Sequence, residues 1–346
     1  MKIIITVCVV LILLPVIAVL GRYIGMGTLS FGRTTVITTA PGEVIPEGTS
    51  FVKYGKMNSW FSPRGTIERL DYETQAYDNG VAYHKYVNVY LPAGYDAADS
   101  ATKYNVIYYQ HGNANLQETY NNFISLKWFD NLFASDNIEP AIVVFTSYYM
   151  DSERDAKEIA KTGSAEAGDG NWDGLPGNFW REVVEDILPA VESRYHTYAE
   201  NDVSEEGLIA TRDHRAFTGY SRGGVCTWYM FHNALPYFRW YVPMSCHTTA
   251  GKTIKDEVSP GEAFAYLKES IEAYGEMPFF IYATGGNAAD APKLREQMAF
   301  FVQQADVFSY GDNPENNNLF YALSDFRHAD FYSPYSLYNA LQILFH

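Results

Sequence analysis

The sequence predicts an α/β fold, a single catalytic domain on a mainly parallel central sheet with helices on both faces. Three observations lead there. Short, almost wholly apolar runs recur along the chain, as expected of strands buried on both faces. Segments with a 3.6-residue apolar period lie between them, and repeated strand-helix alternation is what a parallel sheet covered by helices requires. Finally, Gly219-Tyr220-Ser221-Arg222-Gly223 stands where one apolar run gives way to a helical pattern.

Composition bounds the reading. With 346 residues, 47% hydrophobic and 19% charged, the chain can bury a sizeable core, which excludes disorder as its main state. Its 25 Lys and Arg against 41 Asp and Glu give a net charge of −16, a repulsive field for nucleic acid, which is excluded as a partner.

Taken in chain order, Met1-Lys2 precedes an uncharged apolar stretch from Ile3 to Leu20, broken only by Thr6 and Pro15. This is an export signal, and over residues 1–24 both a cleaved signal peptide and an uncleaved membrane anchor fit it. Residues 25–48, rich in Gly, Thr and Pro without helical period, are expected as a linker, and the catalytic domain as 49–346. Thr66 to Gln75 and Ala82 to Leu91 read as antiparallel strands joined across Asp78-Asn79-Gly80. Buried strands are expected at Asn105–Gln110, Ala141–Ser147, Ala216–Tyr220, Trp240–Met244, Phe279–Ala283 and Leu319–Leu323.

Helices are expected at Phe179–Tyr195, Pro292–Ala305 and Ser333–Phe345, and after the capping box Ser259-Pro260-Gly261-Glu262. Tyr148 to Asn178 fits none of these patterns and reads as a surface insertion, with Trp172 placed to face a ligand or to anchor the loop. In the exported part only Cys226 and Cys246 remain, too few for a disulfide framework or a cysteine zinc site, and buried thiols are expected.

The glycines of the G-x-S-x-G motif have a chemical purpose. A serine displayed on a sharp strand-to-helix turn needs strained dihedrals, and side chains two residues either way would strike the neighbouring strand and helix. Ser221 is thus the candidate nucleophile, the competing reading being a glycine-rich turn that a serine caps. A serine hydroxyl needs a histidine base that follows it in chain order, and His328, just past the last expected strand, fits best. Two backbone N–H groups should receive the oxyanion: that of Arg222, next to the nucleophile, and that of Asn113, after the strand ending in His111-Gly112.

From about Lys53 to His346 the chain resembles the bacterial feruloyl and acetyl-xylan esterases, a group like carbohydrate esterase family 1 within the α/β-hydrolase superfamily. The resemblance rests on Tyr86-Val87-Asn88-Val89-Tyr90-Leu91-Pro92, Phe179-Trp180-Arg181-Glu182-Val183 and Pro189 to Tyr195, and above all on Asp213 to Ser221, Cys226-Thr227-Trp228-Tyr229 and Phe238 to Cys246. It implies an α/β-hydrolase fold and a serine esterase acting on feruloyl or acetyl esters of plant cell-wall polysaccharide such as xylan, without metal or organic cofactor. Ser221 would be nucleophile and His328 base, with Arg222 and Asn113 around the oxyanion and Tyr220, Trp172 and Trp180 as candidate substrate-binding residues.

The family's acid follows the strand here ending at Ala283. The turn reads Thr284-Gly285-Gly286-Asn287-Ala288-Ala289-Asp290, with Ala288 where the acid belongs and Asp290 two residues on. Asp290 is the candidate acid, although before Ala291-Pro292 it is also a good helix N-cap, and Asp325, Asp330 or no acid are the alternatives. The alternative functions are a catalytically weakened carbohydrate-binding protein and an acyltransferase of the same fold.

Overall fold

The computed structural model describes residues 34–36, 50–52, 62–112, 123–135, 138–149, 174–252, 256–275, 277–285, 291–324, 328 and 332–346. The described strands are β1 (Thr34–Val36), β2 (Ser50–Val52), β3 (Thr66–Gln75), β4 (Ala82–Leu91), β5 (Asn105–Gln110), β6 (Ala141–Thr146), β7 (Arg215–Tyr220), β8 (Trp240–Met244), β9 (Phe280–Gly285) and β10 (Leu319–Leu323). Eight of them form one sheet in the order β10-β9-β8-β7-β5-β6-β4-β3. The six strands from β10 to β6 run parallel, and the β3-β4 hairpin adds two antiparallel strands at one edge. This is the expected α/β-hydrolase architecture.

Side chains of alternate residues sort to the two faces, because a strand's period is two. Val106, Tyr108, Val144 and Phe217 face one core, packed with Val183, Val191, Val225, Phe231, Leu267 and Met298 from helices on that side. Ile107, Tyr109, Val143 and Val242 face the other, under Phe129, Leu132, Leu337 and Leu341. Helices therefore cover both faces, which is why the parallel strands are apolar throughout.

Register brings the carboxyl ends of the strands into one line. Gln110 lies beside Thr146 on one side and Gly219 on the other, Tyr220 beside Met244, Met244 beside Thr284, and Leu323 beside Gly285. The loops that leave these ends share one edge, where open parallel sheets bind ligands.

The helical segment expected at Phe179–Tyr195 begins earlier and is not uniform. An α-helix at Gly174–Glu182 passes through a π-turn, Val183–Ile187, into Leu188–Glu192. Pro189 supplies the cause: it has no N–H to donate, and in an α-helix its ring would strike the carbonyl four residues back, so the wider turn precedes it. The capping box forms as expected, with Ser259 accepting from the Glu262 N–H and Glu262 from the Ser259 N–H. At the hairpin, Gly80 takes φ 73° and Ala76 N–H donates to Val81 at 2.8 Å.

Thr34–Val36 of the stretch expected as a linker pairs, as β1, antiparallel with β2 just beyond it, Thr35 opposite Phe51. The apolar segment of residues 1–24 and most of the insertion, with Trp172, lie outside the described residues. Among the described residues no helix is long and apolar enough to cross a membrane. Cys226 and Cys246 are buried and not joined in a disulfide.

Two buried ion pairs cross the face covered by the Gly174–Glu192 segment. Glu192 grips Arg215 at the start of β7 through both carboxylate oxygens, the second at 3.1 Å from Nη2, and also accepts from Thr197 Oγ1 at 2.9 Å. Both side chains are 1% exposed, so removal of one strands the other's charge in the core. Glu182 pairs with Lys85 of β4 and accepts from Tyr72 of β3 at 2.6 Å. Lys85 also donates to the carbonyl of Ser147 at 2.9 Å, and the Ser147 hydroxyl lies 2.9 Å from Nε2 of the fully buried His111. Burial pushes the His111 ring down to about 3, with Lys85 adding to the effect, so the ring is neutral.

Two stability measurements follow. Arg215→Met should cost about 3–5 kcal/mol of unfolding free energy in urea, and a cost under about 1 kcal/mol would contradict the buried-pair account. For His111, an unfolded chain takes up a proton near pH 6.5 that the folded one refuses down to about 3. Its contribution is complete above that upper value and is lost as pH falls through the window, on the order of 1 kcal/mol per pH unit. His111→Asn should flatten this part of the stability profile, and parallel profiles for the two proteins would contradict the assignment.

Candidate active site

At the carboxyl end of β7 the chain turns into the helix Arg222–Ala234 with almost no clearance. A Cβ on Gly223 would overlap the Gln110 carbonyl oxygen, one on Gly219 would meet the Gly223 backbone, and one on Gly224 would lie 2.8 Å from the Met244 carbonyl and strike Cys246 Sγ. All three glycines are therefore dictated by close approach of backbone to backbone.

Ser221, between them, sits at φ 57°, ψ −117°, a conformation that L-residues rarely adopt. Three hydrogen bonds hold it there: Ser221 N–H to Met244 O at 2.8 Å, and Gly224 N–H and Val225 N–H to Ser221 O at 2.9 and 3.1 Å. Its hydroxyl makes no capping bond to the helix it precedes. Instead Oγ lies 2.9 Å from Nε2 of His328, 107 residues further along the chain. The capping reading of this serine has no support in that arrangement.

Tyr220, 4% exposed, places its ring 4.9 Å from the His328 ring at a tilt of 41°, while its body belongs to the core under β7. Trp180, the other described candidate for substrate contact, is partly buried against the core of the opposite face. Arg222 is the first residue of the helix, a position whose N–H intrahelical bonding never uses, so its amide stands next to the nucleophile. Asn113, Trp172, Asp290, Asp325, Asp330 and Ala288 lie outside the described residues.

The described approach to Asn113 is well built. His111 Nδ1 lies 2.7 Å from the Gly112 carbonyl, and the Tyr148 hydroxyl donates to the same oxygen at 3.3 Å. The His111 ring clusters with those of Tyr148 and Tyr149, with centroids 4.8 and 5.1 Å away. His111, Lys85, Ser147 and Glu182 belong to no motif that the sequence pattern singles out as part of the site, His111 entering only as the end of a strand. A signal existed: Lys85 shares the strand phase of Val87 and Val89, and Glu182 lies three residues after Phe179 and one before Val183, both buried, so each charge sits at a core position. Among the described residues no group of three or more His, Cys, Asp or Glu stands together to hold a metal ion.

A serine hydroxyl on a strained elbow, a histidine nitrogen within hydrogen-bond reach and helix-start amides alongside make an arrangement suited to acyl transfer. Comparison with known proteins agrees. A family model described as "Putative esterase" matches residues 83–252. Endo-1,4-beta-xylanase Y of Acetivibrio thermocellus is 28% identical over 294 residues, 84% of this chain but only 24% of the xylanase, so the chain spans about a quarter of that relative's length. A solved structure of FAE superposes with a TM-score of 0.69 at 25% identity, covering 89% of this chain and 97% of that one. The feruloyl esterase module of Clostridium thermocellum, solved with sinapinate, gives 0.66 at 24% identity over 92% and 97%. With its elbow serine on an α/β-hydrolase sheet and an esterase match running through that elbow, the chain is similar to the feruloyl esterases.

Proposed function

We propose that the protein is an extracytoplasmic carboxylic-ester hydrolase that removes feruloyl or acetyl groups from plant cell-wall polysaccharide such as xylan. The observation that carries this reading is the 2.9 Å approach of Ser221 Oγ to His328 Nε2 on a turn held in strained dihedrals. Similarity to a xylanase that is 28% identical and to feruloyl esterase structures supports the substrate class, and the apolar N-terminus supports export.

His328 Nε2 takes the serine proton as Oγ attacks the ester carbonyl, and the role of orienting acid to Nδ1–H is assigned to Asp290. The oxyanion is received by the Arg222 and Asn113 amides; the sugar alcohol leaves with the proton from His328; water, deprotonated by the same nitrogen, then frees the acid. Tyr220, beside His328, is placed to contact the reacting ester, and Trp172 and Trp180 are assigned to the rest of the substrate.

Release of ferulate and acetate from feruloylated and acetylated xylan tests the reading. Ser221→Ala should lower kcat by about 10⁶ and Asp290→Asn by about 10⁴, as removal of triad members does in serine proteases. A fluorophosphonate probe should label Ser221 in the wild type. A wild-type protein that binds xylan, releases neither acid and resists the probe would instead be a carbohydrate-binding protein.

A further inference from the structure

We propose that the buried chain of contacts Tyr72, Glu182, Lys85, Ser147 and His111 is a positioning device for the oxyanion: it fixes the Gly112 carbonyl and so aims the amide that follows Gly112. The proposal rests on the esterase reading above and names residues which that reading does not use.

The argument begins with the peptide plane. A trans peptide carries its C=O and the next residue's N–H on opposite sides of one rigid plane, so holding the oxygen fixes the direction of the hydrogen. The Gly112 oxygen is held from two sides, by His111 Nδ1 at 2.7 Å and Tyr148 Oη at 3.3 Å. A carbonyl can only accept, so His111 Nδ1 must carry the proton. The ring is neutral in its buried site, so Nε2 must accept, and the group 2.9 Å away is the Ser147 hydroxyl, which therefore donates. Ser147 Oγ in turn accepts from the Tyr149 N–H at 3.3 Å. Every proton in this path has one available position.

Ser147 itself is anchored from below. Its carbonyl accepts from Lys85 Nζ at 2.9 Å, Lys85 is paired with Glu182, and Glu182 accepts from Tyr72 at 2.6 Å. Lys85 and Glu182 have side chains 1% and 3% exposed. Stability does not account for such a pair, since well-packed apolar residues in its place are commonly neutral or better. What apolar residues cannot supply is a donor to the Ser147 carbonyl and a fixed seat for the last residue before the Tyr148-Tyr149 corner. The path thus runs from β3 through the helix Gly174–Glu182 and β4 to the ends of β6 and β5, where the oxyanion loop begins.

The test uses the full-length protein with p-nitrophenyl acetate as substrate, rates being normalised to serine titrated to completion with a fluorophosphonate. His111→Leu should lower kcat per titrated serine by about 10²-fold, near the loss of an oxyanion donor, and Ser147→Ala by about 10-fold, with KM within about twofold of wild type. His111→Asn should recover most of the loss, because its amide nitrogen overlays Nδ1 and can still donate to Gly112. A purely structural role would reduce the titrated fraction and the melting temperature while leaving kcat per titrated serine within about threefold, and that result overturns the proposal. An asparagine no better than leucine overturns it as well. Turnover that needs Ser221 but ignores His111→Leu removes the positioning role alone; turnover independent of Ser221 removes the esterase reading and this proposal with it.

Discussion

The site depends on one close approach, that of the Gly223 backbone to the carbonyls of Gln110 and His111. It joins the turn after β7 to the end of β5, so the candidate nucleophile and the start of the loop proposed to receive the oxyanion are set by the same contact rather than by two loops that must find each other. Because the contact is backbone to backbone, no rotamer change can absorb an added methyl group, and the geometry is as rigid as the sheet itself. The strained dihedrals of Ser221 are sustained there by bonds to Met244 on β8 and to the first turn of the helix it opens.

Much of this was legible in the sequence, for reasons that differ by element. The parallel strands are apolar on both faces, and their runs of five or six residues are shorter than an ordinary helix, so β5, β8 and β10 fall at the expected residues. The elbow was legible because its glycines are sterically compelled, and the pairing of Ser221 with His328 because the base must follow the last strands in this fold. What stayed hidden has physical causes too. Pro189 announces a break in a helix but not whether the break will be a kink or a π-turn. The charged network stayed out of sight because a lysine or glutamate in an apolar phase carries no mark of its partner: Lys85 and Glu182 are 97 residues apart. The proposed acid is the opposite case, where Ala288 stands at the expected position and the candidate Asp290 lies outside the described residues.

Buried charge is arranged economically. Glu182 and Glu192 lie on one helical segment, a π-turn between them, and each reaches into the same core face. One is spent near the carboxyl ends of the strands, where the site is built; the other holds Arg215 at the amino end of β7, where Leu208 and Thr211 also contact the guanidinium. The segment is thereby tied to the sheet at both ends of the strands, and a shift of its axis would break a fully desolvated pair. The family-like run from Phe179 to Tyr195 is thus a brace for the scaffold as much as a wall of the site.

The edge formed by β3 gives the molecule a different property. An edge strand presents one row of unpaired backbone groups, an invitation to any second strand, yet β3 carries Glu68, Arg69, Asp71 and Glu73. Arg69 is already paired with Asp71 at 2.7 Å and Glu73 with His84 of β4 at 2.8 Å, so these charges are satisfied within the hairpin. A second copy docking strand to strand would have to disturb both pairs and crowd carboxylates of a chain already at −16. On its β3 side the sheet thus ends in a surface that resists being extended strand to strand.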